Sequence, residues 1–195
     1  MSREPAAELR VGVTGHRFMV ELDKLEAGVN RALRRLTAAY PGRPLVILSP
    51  LAEGADRLIA RCALALPGAR LFVPLPLSLA DYLEDFATAE SRAEFHALLA
   101  RAERVIDLPP AATRDAAYAA VGAYTLHHCD VLIALWDGRE AQGQGGTGEI
   151  VAEARRRGMP LAWVRAGNRR PGTTEPTSLG EEQGRVTLER FPKRR

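Results

Sequence analysis

The chain has few cysteines, no long apolar run and no excess charge in its body, and each shortage excludes a class of function. Cys62 and Cys129 are the only cysteines among 195 residues, and both fall in helix-like stretches. Two half-buried thiols fit a reduced, cytoplasmic protein and exclude a disulfide scaffold. No apolar run reaches the roughly 20 residues of a bilayer-spanning helix. The opening residues, Met1 to Glu8, lack the apolar centre of a secretory signal. A cytoplasmic protein without membrane contact is therefore expected. The sequence pI of about 9.2 suggests nucleic acid at first sight, but the charge is unevenly placed. Residues 166–195 hold seven Lys/Arg and four Asp/Glu, which leaves residues 1–165 with 20 of the 27 basic and 20 of the 24 acidic side chains. A neutral body offers no extended basic face, so nucleic acid, single-stranded DNA included, ranks last among ligands.

Metal and nucleophile chemistry are also poorly supplied. His127-His128-Cys129-Asp130 gathers ligand types, but neighbours on a helix point about 100° apart, and no second Cys/His pair stands at zinc spacing. No metal and no cofactor is expected. Ser49 has no His-Asp partners in a triad pattern.

What is present is a rhythm of short β-branched runs alternating with helical stripes. Leu9 to Thr14, Leu45 to Leu48, Leu71 to Val73, Arg104 to Asp107, Asp130 to Trp136 and Leu161 to Val164 read as strands. Between them, Leu22, Leu25, Val29, Leu33 and Leu36 recur at helical spacing, as do Ala55, Leu58, Ile59, Cys62 and Leu66. Ser78 suits a helix N-cap, and Gly158 suits the left-handed residue that ends the helix from about Thr147 to Arg157. Such alternation predicts an α/β, Rossmann-like three-layer domain with a mainly parallel sheet of about six strands. The domain is expected to span residues 1–168. Residues 169–195, rich in Pro, Gly, Thr and Ser, read as a polar basic tail with little to form a core apart from Val186, Leu188 and Phe191, and dispensable for folding unless residues 185–191 pack as an edge strand.

In parallel sheets ligands bind beyond the carboxyl ends of the strands, and two loops there have phosphate-binding character. Gly143-Gln-Gly-Gly-Thr-Gly-Glu149 joins a buried strand to a helix, where glycines let backbone amides crowd together and the helix start supplies free N–H donors. Gly145, Gly146, Thr147 and Gly148 are its candidate phosphate ligands. Thr14-Gly-His-Arg17 offers Gly15 for a sharp exit, Arg17 as a guanidinium fork, and His16 beside them as a hydrogen-bond partner. Glu53 and Asp56 are placed to hold a ribose diol, although Asp56 equally suits a helix cap. Trp136 and Asp137 end the central strand at the same edge, where Trp136 is either a base-stacking platform or a core residue. Tyr82, Asp85 and Phe86 form either a lid or a packing cluster.

These loops resemble the SLOG superfamily. Val11-Gly-Val-Thr-Gly-His-Arg17 is similar to its first strand and GxR turn. Ser49-Pro-Leu-Ala-Glu-Gly-Ala-Asp56, with Gly54 at its bend, resembles the turn of the DNA-processing branch, and Gly145 to Glu149 resembles the glycine loop of the LOG phosphoribohydrolases. The resemblance covers roughly residues 9–165. It implies a nucleotide-like small-molecule ligand, with phosphate between the first and fifth strand loops. It also implies a homodimer formed through helices and an effector partner of unspecified kind. The LOG pattern places its catalytic glutamate three residues after the threonine, whereas Glu149 here stands two after Thr147. The expectation is therefore a binding or sensing module. The alternative is a nucleoside 5′-monophosphate phosphoribohydrolase, cleaving the N-glycosidic bond with Glu149 as its carboxylate.

Overall fold

A computed structural model describes residues 7–140 and 146–192. In chain order the elements are β1 (Leu9–Gly15), α1 (Leu22–Ala39), β2 (Leu45–Leu48), α2 (Ala55–Leu64), β3 (Arg70–Leu75), α3 (Leu79–Leu83) and α4 (Ala89–Leu99). They continue with β4 (Arg104–Asp107), α5 (Arg114–His128), β5 (Val131–Trp136), α6 (Thr147–Arg156), β6 (Leu161–Arg165) and β7 (Val186–Glu189). The strands form one sheet in the order β4-β3-β2-β1-β5-β6-β7. All pairings are parallel except the antiparallel β6–β7 pair. This is a Rossmann-like three-layer α/β domain.

The layers follow from the side-chain alternation of the strands. On β5, Val131, Ile133 and Leu135 join the cluster that contains Leu25, Val29, Leu33 and Leu36 of α1 and Leu58 and Ile59 of α2. The intervening Leu132, Ala134 and Trp136 pack with Leu126 of α5 and Ile150, Val151 and Ala154 of α6. A strand covered on both faces must be apolar at every position, which is why residues 131–136 read as an unbroken run. Each large side chain so buried contributes about 1.5–3 kcal/mol of transfer free energy. The expected stripe on α1 holds except at Leu22, which sits in the first turn and is 51% exposed. Ser78 caps α3 by accepting the Asp81 N–H, and Gly158 adopts φ 70.

The sheet reverses direction at β1. From β1 the chain steps outward through β2, β3 and β4, then returns to place β5 on the other side of β1. The loops after β1 and β5 therefore part to opposite faces and leave a crevice between them, the position where open α/β sheets bind ligands.

Residues beyond 168 do not behave as a tail, and the expectation for them is corrected in their described part. Val186–Glu189 forms a seventh strand, with Val186, Leu188 and Phe191 packed against the main core. Gln183 is only 5% exposed. Its Nε2 donates to the Val20 carbonyl at 2.9 Å, and its Oε1 accepts the N–H groups of Gly167 and Leu179 at 3.0 and 3.2 Å. Gly28 of α1 makes this approach feasible, since a Cβ there would lie 2.5 Å from the Gly184 oxygen. Arg155 of α6 adds two hydrogen bonds to Glu189, at 3.0 and 2.7 Å. Among the described residues no helix is long and apolar enough to cross a membrane.

Candidate functional site

The site is assembled at the carboxyl ends of β1 and β5. β1 ends at Gly15, which lies where β1, β5 and α2 converge. A Cβ on it would stand 2.3 Å from the Ala55 Cβ and 2.8 Å from the Leu135 oxygen. The start of α2 is pressed just as closely on the next residues. Gly54, at φ 85 and ψ −120, lies beneath the His16 and Arg17 carbonyls, and a Cβ there would meet them at 2.5 and 2.4 Å. That backbone conformation is open to glycine almost alone. Gly54 is therefore a spacer for the Arg17 turn and lines neither of the hollows at this edge of the sheet.

Two contiguous hollows result. The first, of about 550 Å³, is lined by Thr14, Gly15, Arg17, Glu53, Asp56, Gly146 and Thr147 among others. Asp85, Asp115 and Tyr118 close its far side, and Val121, Gly122, Thr125 and Ile150 also line it. The second, of about 530 Å³, shares Gly15, Arg17, Gly146 and Thr147 and extends to His16, Asp137, Gly148, Arg139 and Arg169. The structure thus brings together Gly15, His16, Arg17, Glu53, Asp56, Trp136, Asp137, Gly146, Thr147 and Gly148. Gly145 lies outside the described residues.

Arg17 forms no ion pair or side-chain hydrogen bond among the described residues, although it lines both hollows. Beside it α6 begins at Thr147, with Gly146 as N-cap and no side-chain cap. Gly146 has φ −73, an ordinary extended conformation that other residues also adopt. Gly148 is buried beneath the first turn.

The acidic wall is built differently. Asp56 opens α2 and is 6% exposed; its Oδ2 accepts the Ala52 N–H at 3.3 Å. Burial pushes its carboxyl up to about 7, opposed by the Ala52 amide and by the nearby charges of Arg17 and Arg57. Glu53 receives the Ser91 hydroxyl. Ser91 also accepts from Arg57 at 2.9 Å, and the buried Arg57 continues to the Leu51 carbonyl at 3.0 Å and Glu94 at 3.2 Å. This network pins residues 51–53, where Leu51 holds φ 60. Asp85 is tied to the start of α5, accepting from Tyr118 and, at 3.1 Å, from Arg114.

Several expected roles are revised by the geometry. His16 is 8% exposed, and burial, the dominant influence, lowers its pKa despite the nearby Asp137 carboxylate. Its Nε2 lies 3.1 Å from the Asp137 amide nitrogen and 3.2 Å from Asp137 Oδ1. One ring nitrogen cannot accept from the first and donate to the second at once. A ring kept neutral by burial accepts the amide proton. His16 therefore ties the β1 and β5 loops together, with that nitrogen already engaged. Trp136 lines the second hollow but is only 6% exposed, its ring against Trp163 at 5.2 Å and Arg155 at 5.2 Å, its N–H given to the Arg139 carbonyl. Tyr82 and Phe86 are fully buried in an aromatic cluster with Phe95, so of the three lid candidates only Asp85 reaches the hollow. Glu149 is exposed and lines a separate groove between α5 and α6, with Ala119, Ala123, Glu153 and Arg156. It is absent from the residues around Arg17. No group of three or more potential metal ligands occurs among the described residues.

Sequence reasoning missed Arg169, Asp115 and Thr125. Asp115 and Thr125 come from α5, which crosses beneath the crevice. Arg169 comes from the segment read as a tail.

The chain matches no family model and no curated protein. Five solved chains resemble it. One is the X-ray structure of TM1055, a structural genomics target, 15% identical, covering 78% of this chain and 72% of that chain with a TM-score of 0.47. The fold assignment rests on the strand order itself.

Proposed function

We propose that this domain binds a nucleotide or nucleotide-derived ligand, holding its phosphate against Gly15, Arg17 and the first turn of α6. The observation that carries the reading is Arg17, unpaired among the described residues and directed to the crevice where the sheet reverses. A guanidinium, small residues that permit close backbone approach and the start of a ten-residue helix are together suited to an anion. Glu53 and Asp56, on the adjoining wall, are suited to sugar hydroxyls. The likeness of the 11–17, 49–56 and 145–149 segments to SLOG loops supports the same ligand class. Glycosidic hydrolysis is disfavoured because Glu149, the carboxylate of that alternative, faces the α5–α6 groove rather than the hollow.

The test is titration calorimetry with nucleoside mono- and diphosphates, alongside chromatography for free base. At least one phosphate-bearing ligand binds, Arg17→Ala weakens it by about tenfold or more, as expected for a lost charge-assisted contact, and no base is released. Unchanged affinity in Arg17→Ala would remove this site. Base release that disappears in Glu149→Gln would replace the binding module by the hydrolase.

A further inference from the structure

Arg17 is not the only guanidinium at the crevice. Arg169 follows β6 and lines both hollows. Its guanidinium lies 5.4 Å from the ring centre of Phe18, the residue next to Arg17. Like Arg17 it has no ion pair or side-chain hydrogen bond among the described residues, whereas its neighbour Arg170 is paired with Glu175 at 3.4 Å. An arginine that escapes pairing beside a carboxylate-rich chain, and that is stacked so as to face a hollow, is available to a ligand.

Its position is fixed by a built segment. The Asn168 carbonyl accepts both the amide and the hydroxyl of Thr177, at 2.6 and 2.8 Å, and Arg169 forms a bridge with Pro176. Gly167 lies so close to this return strand that a Cβ on it would stand 1.9 Å from the Thr177 oxygen. Gln183 bonds Gly167 on one side and Val20, just after Phe18, on the other. The segment from 167 to 183 thus straps Arg169 to the same loop that carries Arg17.

Resting on the phosphate-binding reading above, we infer that the ligand carries two linked phosphoryl groups, one held by Arg17 and the start of α6 and the next by Arg169. Arg139 lines the outer hollow as well, where three arginines outnumber the acidic Asp137 and Glu140. The acidic side chains Glu53, Asp56, Asp85 and Asp115 line only the first hollow, together with Arg17 and Arg169. The diphosphate then lies where the two hollows meet, between Arg17 and Arg169, with the hydroxyl-bearing part toward Glu53 and Asp56 of the first hollow. A single phosphate would leave Arg169 unmatched.

The experiment measures binding of AMP, ADP, inorganic phosphate and inorganic pyrophosphate, with the other three bases as controls, to the wild type, Arg17→Ala and Arg169→Ala. Expected is a preference of about tenfold or more for diphosphate over monophosphate probes, which Arg169→Ala collapses to within about twofold. The unliganded melting temperature should be unaltered, since the side chain is exposed. Equal affinity of the wild type for mono- and diphosphates overturns this inference while leaving the phosphate site standing. An Arg169→Ala variant that keeps its preference overturns it too. Failure of every probe to bind, or indifference to Arg17→Ala, defeats the phosphate reading itself and this inference with it.

Discussion

Asp56 makes the stability of the protein a function of pH in a direction opposite to that of most carboxylates. Its pKa rises from an ordinary 3.8 to about 7 because burial disfavours the charge more than the Ala52 amide and the nearby arginines favour it. Between those values the native protein holds a proton that the unfolded chain has released. Stability therefore falls as pH rises from about 4 to about 7 and is level above that. At about 1.4 kcal/mol per pKa unit, the full loss amounts to about 4 kcal/mol. Asp56→Asn removes the ionisation while keeping an oxygen to accept the Ala52 N–H. The variant should match the wild type at pH 4 and exceed it at pH 8 by up to about 4 kcal/mol. Urea unfolding of both proteins at intervals from pH 4 to 8.5 reads the difference directly, since every other titrating group is common to the two. A variant less stable than its parent at pH 8, or a difference that does not change with pH, would refute the reasoning.

Two further outcomes follow from the backbone. Gly54→Ala forces a Cβ against the His16 and Arg17 carbonyls at a φ that alanine resists, so it should cost about 2 kcal/mol or more and weaken ligand binding together with stability; a thermal melt and a titration check both. Truncation after Asn168 removes β7 and Gln183 and bares the edge of β6. Circular dichroism should show a fall in melting temperature of many degrees, or aggregation, and an unchanged melt would show that the segment is an accessory.

Most of the sheet was legible because a strand buried on both faces must be apolar throughout, as residues 131–136 are, and because the helices between strands carry regular stripes. β7 was not legible for the same reason inverted. Val-Thr-Leu-Glu is half-buried at every position, lies on one edge and pairs antiparallel, so its pattern is short and weak, and the Pro/Gly/Thr-rich run before it suggested disorder. At the site, Gly15, Arg17, Gly146 and Thr147 could be placed because each sits at a strand or helix end. Arg169 carried no local signal, since its membership depends on a strap that closes over the β1–α1 loop. The displacement of Glu149 was visible in principle. Two positions along a helix turn a side chain by about 200°, which carries Glu149 away from the face on which Thr147 meets the hollow.

The Gln183 to Val20 hydrogen bond joins residues 163 positions apart, and the Ser178 to Glu21 contact joins residues 157 apart. During synthesis the β1–α1 loop emerges well before the residues that hold it in place. Contacts of such sequence separation form late, because loop closure must come before any reward from pairing. A growing chain can therefore build β1 to β4 and their helices well before Arg17 has its final surroundings. The surroundings of Arg17 are then completed late in folding, once the strap of residues 167–183 and β7 have been made.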